Sequence, residues 1–355
     1  MNVFDHPEFD NHEQVVFCND KESGLKAIIA VHNSNLGPGA GGIRMWPYES
    51  FDAALYDVLR LSKGMSYKSA MAGLACGGGK SVIIGDPKMS LEEKEPMFRA
   101  FAHFLQSLSG RYWAAEDVGT SVDVIRIIME ESDYVFGLPD GSGDPSPFTA
   151  LGVFEGIKAA VKHQLGRDDL KGIRIAVQGV GHVGYYLCKH LHEAGAELFV
   201  TDINQEALNK TAADFGATIV EPDAIYGLDV DIYSPNALGA SLNDKTIPQL
   251  KVSIVAGAAN NQLKEPRHGD ILHEKGVLYA PDYVINAGGM INASGDMAGD
   301  YSREQATEKT MAIYHTLMEI FEKSARSDTP TYRIADKLAE AKLQKKQFAE
   351  PAVGD

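Results

Sequence analysis

Apolar and β-branched residues alternate with polar ones over residues 13–32 (EQVVFCNDKESGLKAIIAVH), with Asn-Asp-Lys-Glu-Ser-Gly in the middle. That pattern predicts two strands joined by a polar turn. A Gly-rich stretch, LGPGAGGIRM, follows at 36–45. Ala54, Leu55, Val58, Leu59 and Leu61 recur at helical spacing and predict a helix over 51–72 that ends near Met71. Beyond Lys80, Ser-Val-Ile-Ile closed by Gly-Asp-Pro reads as a strand. A helix over about 91–109, a strand entering a loop in GRYWAAEDVGTS, and a helix over 121–131 come next.

Residues 137–147 (GLPDGSGDPSP) hold too many glycines and prolines for regular structure, and they mark a candidate hinge. Past it the pattern changes to helix and strand in alternation, which predicts βαβ units on a parallel sheet. The tail over about 302–348 reads as mostly helical, and the final EPAVGD as frayed.

One βαβ unit carries chemistry. In residues 173–204 an apolar strand (Ile173 to Val177) runs into Gly179-Val180-Gly181-His182-Val183-Gly184. A helix follows, then a second strand (Glu197 to Thr201) closing on Asp202. Gly179 permits a tight turn, Gly181 lets a pyrophosphate approach the backbone, and Gly184 lets helix pack on strand. The positive end of the helix meets the phosphates. Asp202 can hydrogen-bond both ribose hydroxyls and repels a 2′-phosphate, which favours NAD over NADP. Ile203 and Asn204 come after it, and neither is a cation that would welcome a phosphate. His182, His190 and His192 invite a metal reading. His190 and His192 diverge on a helix, however, and no Cys or acid pattern completes a tetrahedral set, so solvent-face histidines and no metal are expected.

The stretch LACGGGKSVIIGDP at 74–87 resembles the end of a P-loop but fails its spacing. With Gly79 as the second glycine, the first belongs at position 74, which is Leu74. Lys80 leads into a strand, whereas a P-loop opens a helix. Lys68, Lys80 and Asp117 are instead the candidate chemistry of the first half. Glycines beside Lys80 would allow close approach of substrate and nicotinamide. Two lysines in one cleft would depress each other's pKa, desolvation would add to that, and a lysine near neutrality can act as a general base. Asp117 could then relay protons.

Composition narrows the class. The 355 residues suffice for two domains, and 44% hydrophobic with 23% charged residues is ordinary for a globular chain. A formal net charge of −16 argues against nucleic acid or an anionic membrane as partner. The N-terminus shows no signal-peptide pattern, and no apolar run reaches membrane-spanning length. Cys18, Cys76 and Cys188 are few and widely spaced, so the chain reads as reduced and cytoplasmic. Cys76 reads as a small apolar filler.

The runs GGIRMWPYES, LSKGMSYKSAMAGLACGGGKSVIIGDP, GRYWAAEDVGTSVD, GDPSPFTALGVFEGIKAA, VQGVGHVGYYLCKHLHEAGA, VAGAANNQL and APDYVINAGGMIN resemble the family of dehydrogenases acting on glutamate, leucine, valine and phenylalanine. The likeness is strongest to its leucine branch and covers about 10 to 340. It implies reversible NAD-dependent oxidative deamination of an L-amino acid to a 2-oxo acid and ammonia. By this resemblance Lys68 pairs with the substrate carboxylate, Lys80 activates water, and Asp117 moves protons to and from the amino group. Thr149 and Asn286 match positions that hold the nicotinamide carboxamide and ribose. Asn260 or Asn261 helps fix carboxylate or cofactor, with Ala258 beside them. Ala40, Gly41, Met65 and Ala115 match the apolar side-chain pocket, as do Val284, Met290 and Ala293.

Ala40 and Ala293 are smaller than the leucine branch's residues, while Met290 is larger, and Trp113 resembles the phenylalanine branch. The resemblance implies leucine and other branched-chain substrates, and these departures make phenylalanine or another aromatic the alternative. Asn236, where the family has Cys, and Asp144, where it has Asn, are further departures. A non-catalytic NAD-binding sensor on the same fold is a distant alternative. The implied fold is α/β with two domains and a cleft that closes between them. Residues 1–140 would bind substrate and make oligomer contacts, 147–325 would form a doubly wound Rossmann NAD domain, and 326–355 would pack back on the first. The family's homo-oligomers range from dimers to octamers.

Overall fold

A computed structural model describes residues 2–138, 141–299 and 301–344. Two compact units emerge. One contains the chain through Gly143, Ala293–Tyr301 and the chain from Ala339; the other contains Asp144–Asn292 and Ser302–Leu338. The main division falls inside the Gly/Pro-rich stretch at 137–147, of which Pro139 and Asp140 lie outside the described residues.

In the first unit, β1 (Gln14–Asp20), β2 (Leu25–Asn33) and β3 (Gly39–Trp46) precede α1 (Phe51–Met71). Then come β4 (Gly77–Ile84), α2 (Leu91–Ser107), β5 (Tyr112–Glu116) and α3 (Val122–Met129). The five strands pair in the order β1-β2-β4-β3-β5. The β1–β2 and β2–β4 pairs are antiparallel, and β4–β3 and β3–β5 are parallel. The side-chain period of two splits β4 between two cores. Val82 packs with Ala54, Leu55, Val58 and Leu59 of α1 on one face. Ile83 packs with Phe98, Phe101, Ile125 and Ile128 of α2 and α3 on the other. Ser50 starts α1 by accepting the Ala53 N–H at 3.1 Å.

The structure adds one strand and corrects the start of another. The Gly-rich stretch at 36–45 contains a strand, β3, and β4 begins at Gly77 rather than after Lys80. Glycine is a weak strand former on propensity. It is tolerated here because β3 and β4 are central strands held by hydrogen bonds on both edges, with no room for side chains between neighbours.

The second unit begins with α4 (Ser146–Leu165) and β6 (Arg174–Gln178), followed by α5 (His182–Glu193), β7 (Glu197–Thr201) and α6 (Gln205–Phe215). Next are β8 (Thr218–Ile219), β9 (Ile232–Pro235), β10 (Ile254–Val255), α7 (Arg267–Glu274), β11 (Leu278–Tyr279) and α8 (Asp282–Ile285). α9 (Gly288–Ala298), α10 (Arg303–Met311), α11 (Ile313–Ser327) and α12 (Thr331–Leu343) complete the chain, with α9 and α12 crossing the division. Six parallel strands pair in the order β11-β10-β9-β6-β7-β8. Counted from β6, that order is the Rossmann one, with its topological switch point between β6 and β9. No described helix is long and apolar enough to cross a membrane.

Candidate active site

Lys80 lies on the α1 face of β4, two residues before Val82, and is only 5% exposed. Its Nζ stands 2.9 Å from Oδ2 of Asp117, in the loop after β5. That loop is fastened to β3. Met45 donates its N–H to the Val118 carbonyl at 2.9 Å, and the Thr120 hydroxyl lies 3.0 Å from the Ile43 carbonyl oxygen. The Asp117 N–H in turn donates to the Thr120 hydroxyl oxygen at 3.0 Å. Two residues of the motif reading, 37 positions apart in sequence, thus form a buried ion pair.

Burial pushes the Lys80 ammonium below its ordinary pKa against the pull of Asp117, and the Arg44 guanidinium lowers it further. A like charge beside Lys80 is thus Arg44. Burial would raise the Asp117 carboxyl, but Lys80 and Arg44 outweigh it and hold the group below its ordinary value. A buried amine inclined to lose its proton, touching an ionised carboxylate, can take a proton and pass it on.

The glycines around this pair are occupied by protein. A Cβ on Gly42 would lie 2.6 Å from the Asp117 Cβ and 3.1 Å from the Lys80 Nζ. One on Gly78 would lie 2.1 Å from the Ser66 nitrogen of α1, and one on Gly79 would lie 2.5 Å from the Tyr112 ring. The Tyr112 hydroxyl donates to the Gly41 carbonyl at 2.9 Å. The expectation that these glycines clear space for ligands is thus replaced: they let β3, β4, α1 and the Asp117 loop close on one another.

Lys68 is half-buried in the last turn of α1, on the helix that packs behind β4. Met65 is half-buried one turn earlier, with its Cγ 3.3 Å from where a Cβ on Gly41 would stand. Ala40 is fully enclosed. Ala115 and Ala293 come together around Gly137, where an added Cβ would lie 3.5 Å from the Ala293 Cβ and 3.9 Å from the Ala115 Cβ. Asp296, one turn after Ala293, secures this wall. Its Oδ2 accepts the Gly137 N–H at 3.0 Å and the Ser142 hydroxyl at 2.8 Å. Neither Asp296 nor Gly137 belongs to the motif reading. Val284 and Met290 lie in the second unit, Val284 buried in α8 and Met290 half-buried in α9.

In the second unit the fingerprint glycines differ from one another. Gly179 has φ +97°, and Gly184 would drive a Cβ to 2.1 Å from the Gly179 carbonyl oxygen. An added Cβ on Gly181 meets nothing within 4 Å, and Gly181 starts α5 with no side-chain cap on the helix's N–H groups. His182 is exposed beside it, Val183 is half-buried and Val180 is buried. Asp202 Oδ2 accepts the Val180 N–H at 2.7 Å, and its Oδ1 accepts the Asn204 N–H at 2.8 Å. The acid is therefore oriented beside the glycine turn, with Ile203 almost fully exposed after it.

Asn286 donates its amide to the Ala258 carbonyl at 3.0 Å and to Asn260 Oδ1 at 2.8 Å. Its own Oδ1 is buried with no hydrogen-bond partner among the described residues. A buried acceptor left unsatisfied is costly, and a donor such as a ligand amide or hydroxyl would satisfy it. Thr149 lies at the start of α4 with its hydroxyl 3.1 Å from the Pro145 carbonyl, and an added Cβ on Gly289 would stand 2.6 Å from it. Asn261 has φ +51°. Asn236 links the loops at the switch point, accepting the Ala258 N–H at 2.8 Å and donating to the Ser234 carbonyl at 2.9 Å. Asp144 accepts the Ser146 N–H at 2.8 Å as α4 begins. An open helix N-terminus, an oriented acid and an orphaned amide oxygen fit a dinucleotide.

Among the described residues no group of His, Cys, Asp and Glu could hold a metal ion. His190 does not lie on the solvent face, which corrects that expectation: it is half-buried with its ring 5.4 Å from that of Phe154. The three cysteines are buried, and burial pushes the thiols of Cys18 and Cys188 up to about 12.

Residues 12–134 match the family model of the Glu/Leu/Phe/Val dehydrogenase dimerisation domain. Residues 141–204 and 198–344 match that of Glutamate/Leucine/Phenylalanine/Valine dehydrogenase. The chain is 56% identical over 346 residues to a leucine dehydrogenase of Bacillus cereus, spanning 97% of this chain and 94% of the relative. It is 47% identical over 346 residues to a phenylalanine dehydrogenase of Lysinibacillus sphaericus, spanning 95% and 90%. Among solved structures it is similar to L-tryptophan dehydrogenase from Nostoc punctiforme, with a TM-score of 0.85, 47% identity, and coverage of 95% of this chain and 97% of that one.

Proposed function

This chain belongs to the Glu/Leu/Phe/Val dehydrogenase family and is an amino-acid dehydrogenase, and on that footing we propose that it oxidatively and reversibly deaminates an apolar L-amino acid, leucine foremost, with NAD as hydride acceptor. The products are the 2-oxo acid and ammonia. The observation that carries this reading is the buried Lys80–Asp117 pair at 2.9 Å. Leucine is favoured because identity to the leucine enzyme is 56%, against 47% to the phenylalanine enzyme.

Each residue has a role in this reading. Lys68 holds the substrate α-carboxylate by charge. Lys80, whose proton burial makes easier to lose, takes a proton from the water that attacks the imino carbon. Asp117 is ionised at neutral pH, so it accepts a proton from the amino group and returns it. Met65, Ala115 and Ala293 line the side-chain site, with Ala40 and Gly41 supporting it, and Val284 and Met290 are assigned to it by the family resemblance. NAD supplies the hydride acceptor. Gly179, Val180, Gly181, His182, Val183 and Gly184 form its pyrophosphate turn, and Asp202 and Ile203 meet its adenosine half. Ala258, Asn260 and Asn286, with Thr149, hold its nicotinamide half, while Asn261 contacts the substrate carboxylate. The first unit also makes a homo-oligomer, which its match to a dimerisation domain supports.

The small wall of Ala115, Gly137 and Ala293 favours one second reading, a preference for aromatic side chains. A methylene is worth only about 1–3 kcal/mol of discrimination, so such changes can reorder substrates. The test is NADH formation with NAD and a panel of Leu, Val, Ile, Phe and Trp at alkaline pH. Leucine should give the highest kcat/KM. A higher value for Phe or Trp would establish the second reading, and no NADH with any amino acid would refute both.

A further inference from the structure

Lys80 is not the only cation on Asp117. Arg44, two residues beyond Gly42 on β3, points its Nε at the same Oδ2, at 3.0 Å. Its Nη1 reaches Oδ2 of Asp57 on α1, also at 3.0 Å. Asp57 is held in turn by the Tyr48 hydroxyl, which donates at 2.6 Å, and by Arg60 Nη2 at 3.2 Å. The side chains of Arg44 and Asp57 are 21% and 14% exposed, so this chain of charges is largely shielded from water.

We propose that Arg44 is a positioning residue of the deamination chemistry, fixing the orientation of the Asp117 carboxylate and placing a permanent positive charge beside the Lys80 amine, with Asp57 as its anchor. The proposal rests on the Lys80–Asp117 reading above and deepens it. A carboxylate oxygen that receives two cationic donors has its lone pairs engaged, so proton exchange falls to Oδ1. The guanidinium fork is rigid and cannot lose its proton, so it spans two carboxylates without itself titrating. Gly42 makes this possible, because any side chain there would fill the space where Lys80 and Asp117 meet.

The groups facing Lys80 act in opposite directions. Asp117 and Asp57 favour its charged form, and Arg44 disfavours it. Glu116 lies beside Asp117, and Tyr112 points its hydroxyl at the Gly41 and Gly42 carbonyls. Removing the Arg44 charge should therefore strengthen proton binding at Lys80, and removing the Asp57 charge should weaken it.

The test measures kcat/KM against pH for the full chain and for Arg44→Gln, Arg44→Lys and Asp57→Asn, with KM for NAD and thermal unfolding in parallel. In Arg44→Gln the midpoint of the acid limb should move up by about one pH unit or more, with KM for NAD unchanged. Arg44→Lys should restore the midpoint but not the full kcat, since it keeps the charge without the fork. In Asp57→Asn the midpoint should move the other way. If Arg44→Gln fails to fold, the opposite shift in Asp57→Asn decides the matter. Wild-type midpoints in every folded variant, with only unfolding temperatures changed, would overturn the proposal. No turnover by the wild type would instead reject the underlying reading, and this one with it.

Discussion

An added Cβ on Gly181, at the head of α5, meets no atom within 4 Å, whereas one on Gly78, in β4, would stand 2.1 Å from the Ser66 nitrogen. Both glycines sit in Gly-rich runs that resemble phosphate-binding loops. In the second unit the run ends a strand and opens a helix, and the space beside it is left free. In the first unit the runs are strands, and the space beside them is filled by a helix, a tyrosine ring and the Lys80–Asp117 pair. A glycine cluster thus signals close approach without saying what approaches. Flanking elements decide: a helix N-terminus can receive an anion, while paired central strands receive protein.

Substitutions should separate the two clusters. Gly78→Ala forces a methyl against the backbone of α1, so overpacking should destabilise the first unit by about 3 kcal/mol or more, read as an early thermal transition or failure to fold. Gly42→Ala pushes on the Asp117 Cβ from 2.6 Å, and a shift of that group should cost about a hundredfold in kcat/KM while NAD still binds. Gly181→Ala should weaken NAD binding by about tenfold with an unchanged melting temperature, because the methyl enters space the pyrophosphate needs and no protein atom occupies. Equal melting-temperature losses in Gly78→Ala and Gly181→Ala would erase the distinction.

A smaller effect is expected in acid. In the first unit, His12 is buried with Nε2 3.1 Å from the Leu59 carbonyl oxygen and 3.0 Å from the Ser62 hydroxyl. Burial, and then the neighbouring His32, lower its pKa from 6.5 to about 4. Between those values the unfolded chain binds more protons than the folded one. Stability of the first unit should therefore fall as the pH drops from 6.5 to about 4. Denaturant midpoints across that range should show the slope, and His12→Asn should flatten it.

Local features were the legible ones in the sequence. β7 spans Glu197–Thr201 as the pattern predicts, and α1 spans Phe51–Met71, because periodicity and caps over neighbouring residues determine both. The fingerprint was readable because strand, turn, helix and acid all lie within one unit of chain. β3 was missed because GAGGIRMW offers little side-chain pattern, and its strand character comes from pairing with β4 and β5. Arg44 and Asp57 were missed for a related reason, since Arg44 meets Asp117 across 73 positions of sequence. A strand period applied to GGIRMW would have placed Arg44 on the face of Gly42, the one available signal.

The central claim is that a buried, readily deprotonated amine at position 80 performs the proton chemistry while the second unit independently holds the dinucleotide. Lys80→Ala tests it most directly, with NAD affinity and leucine-dependent NADH formation measured on the same preparation. The account predicts wild-type NAD affinity and turnover reduced by about a thousandfold. Turnover near the wild-type rate, at any pH, would contradict it.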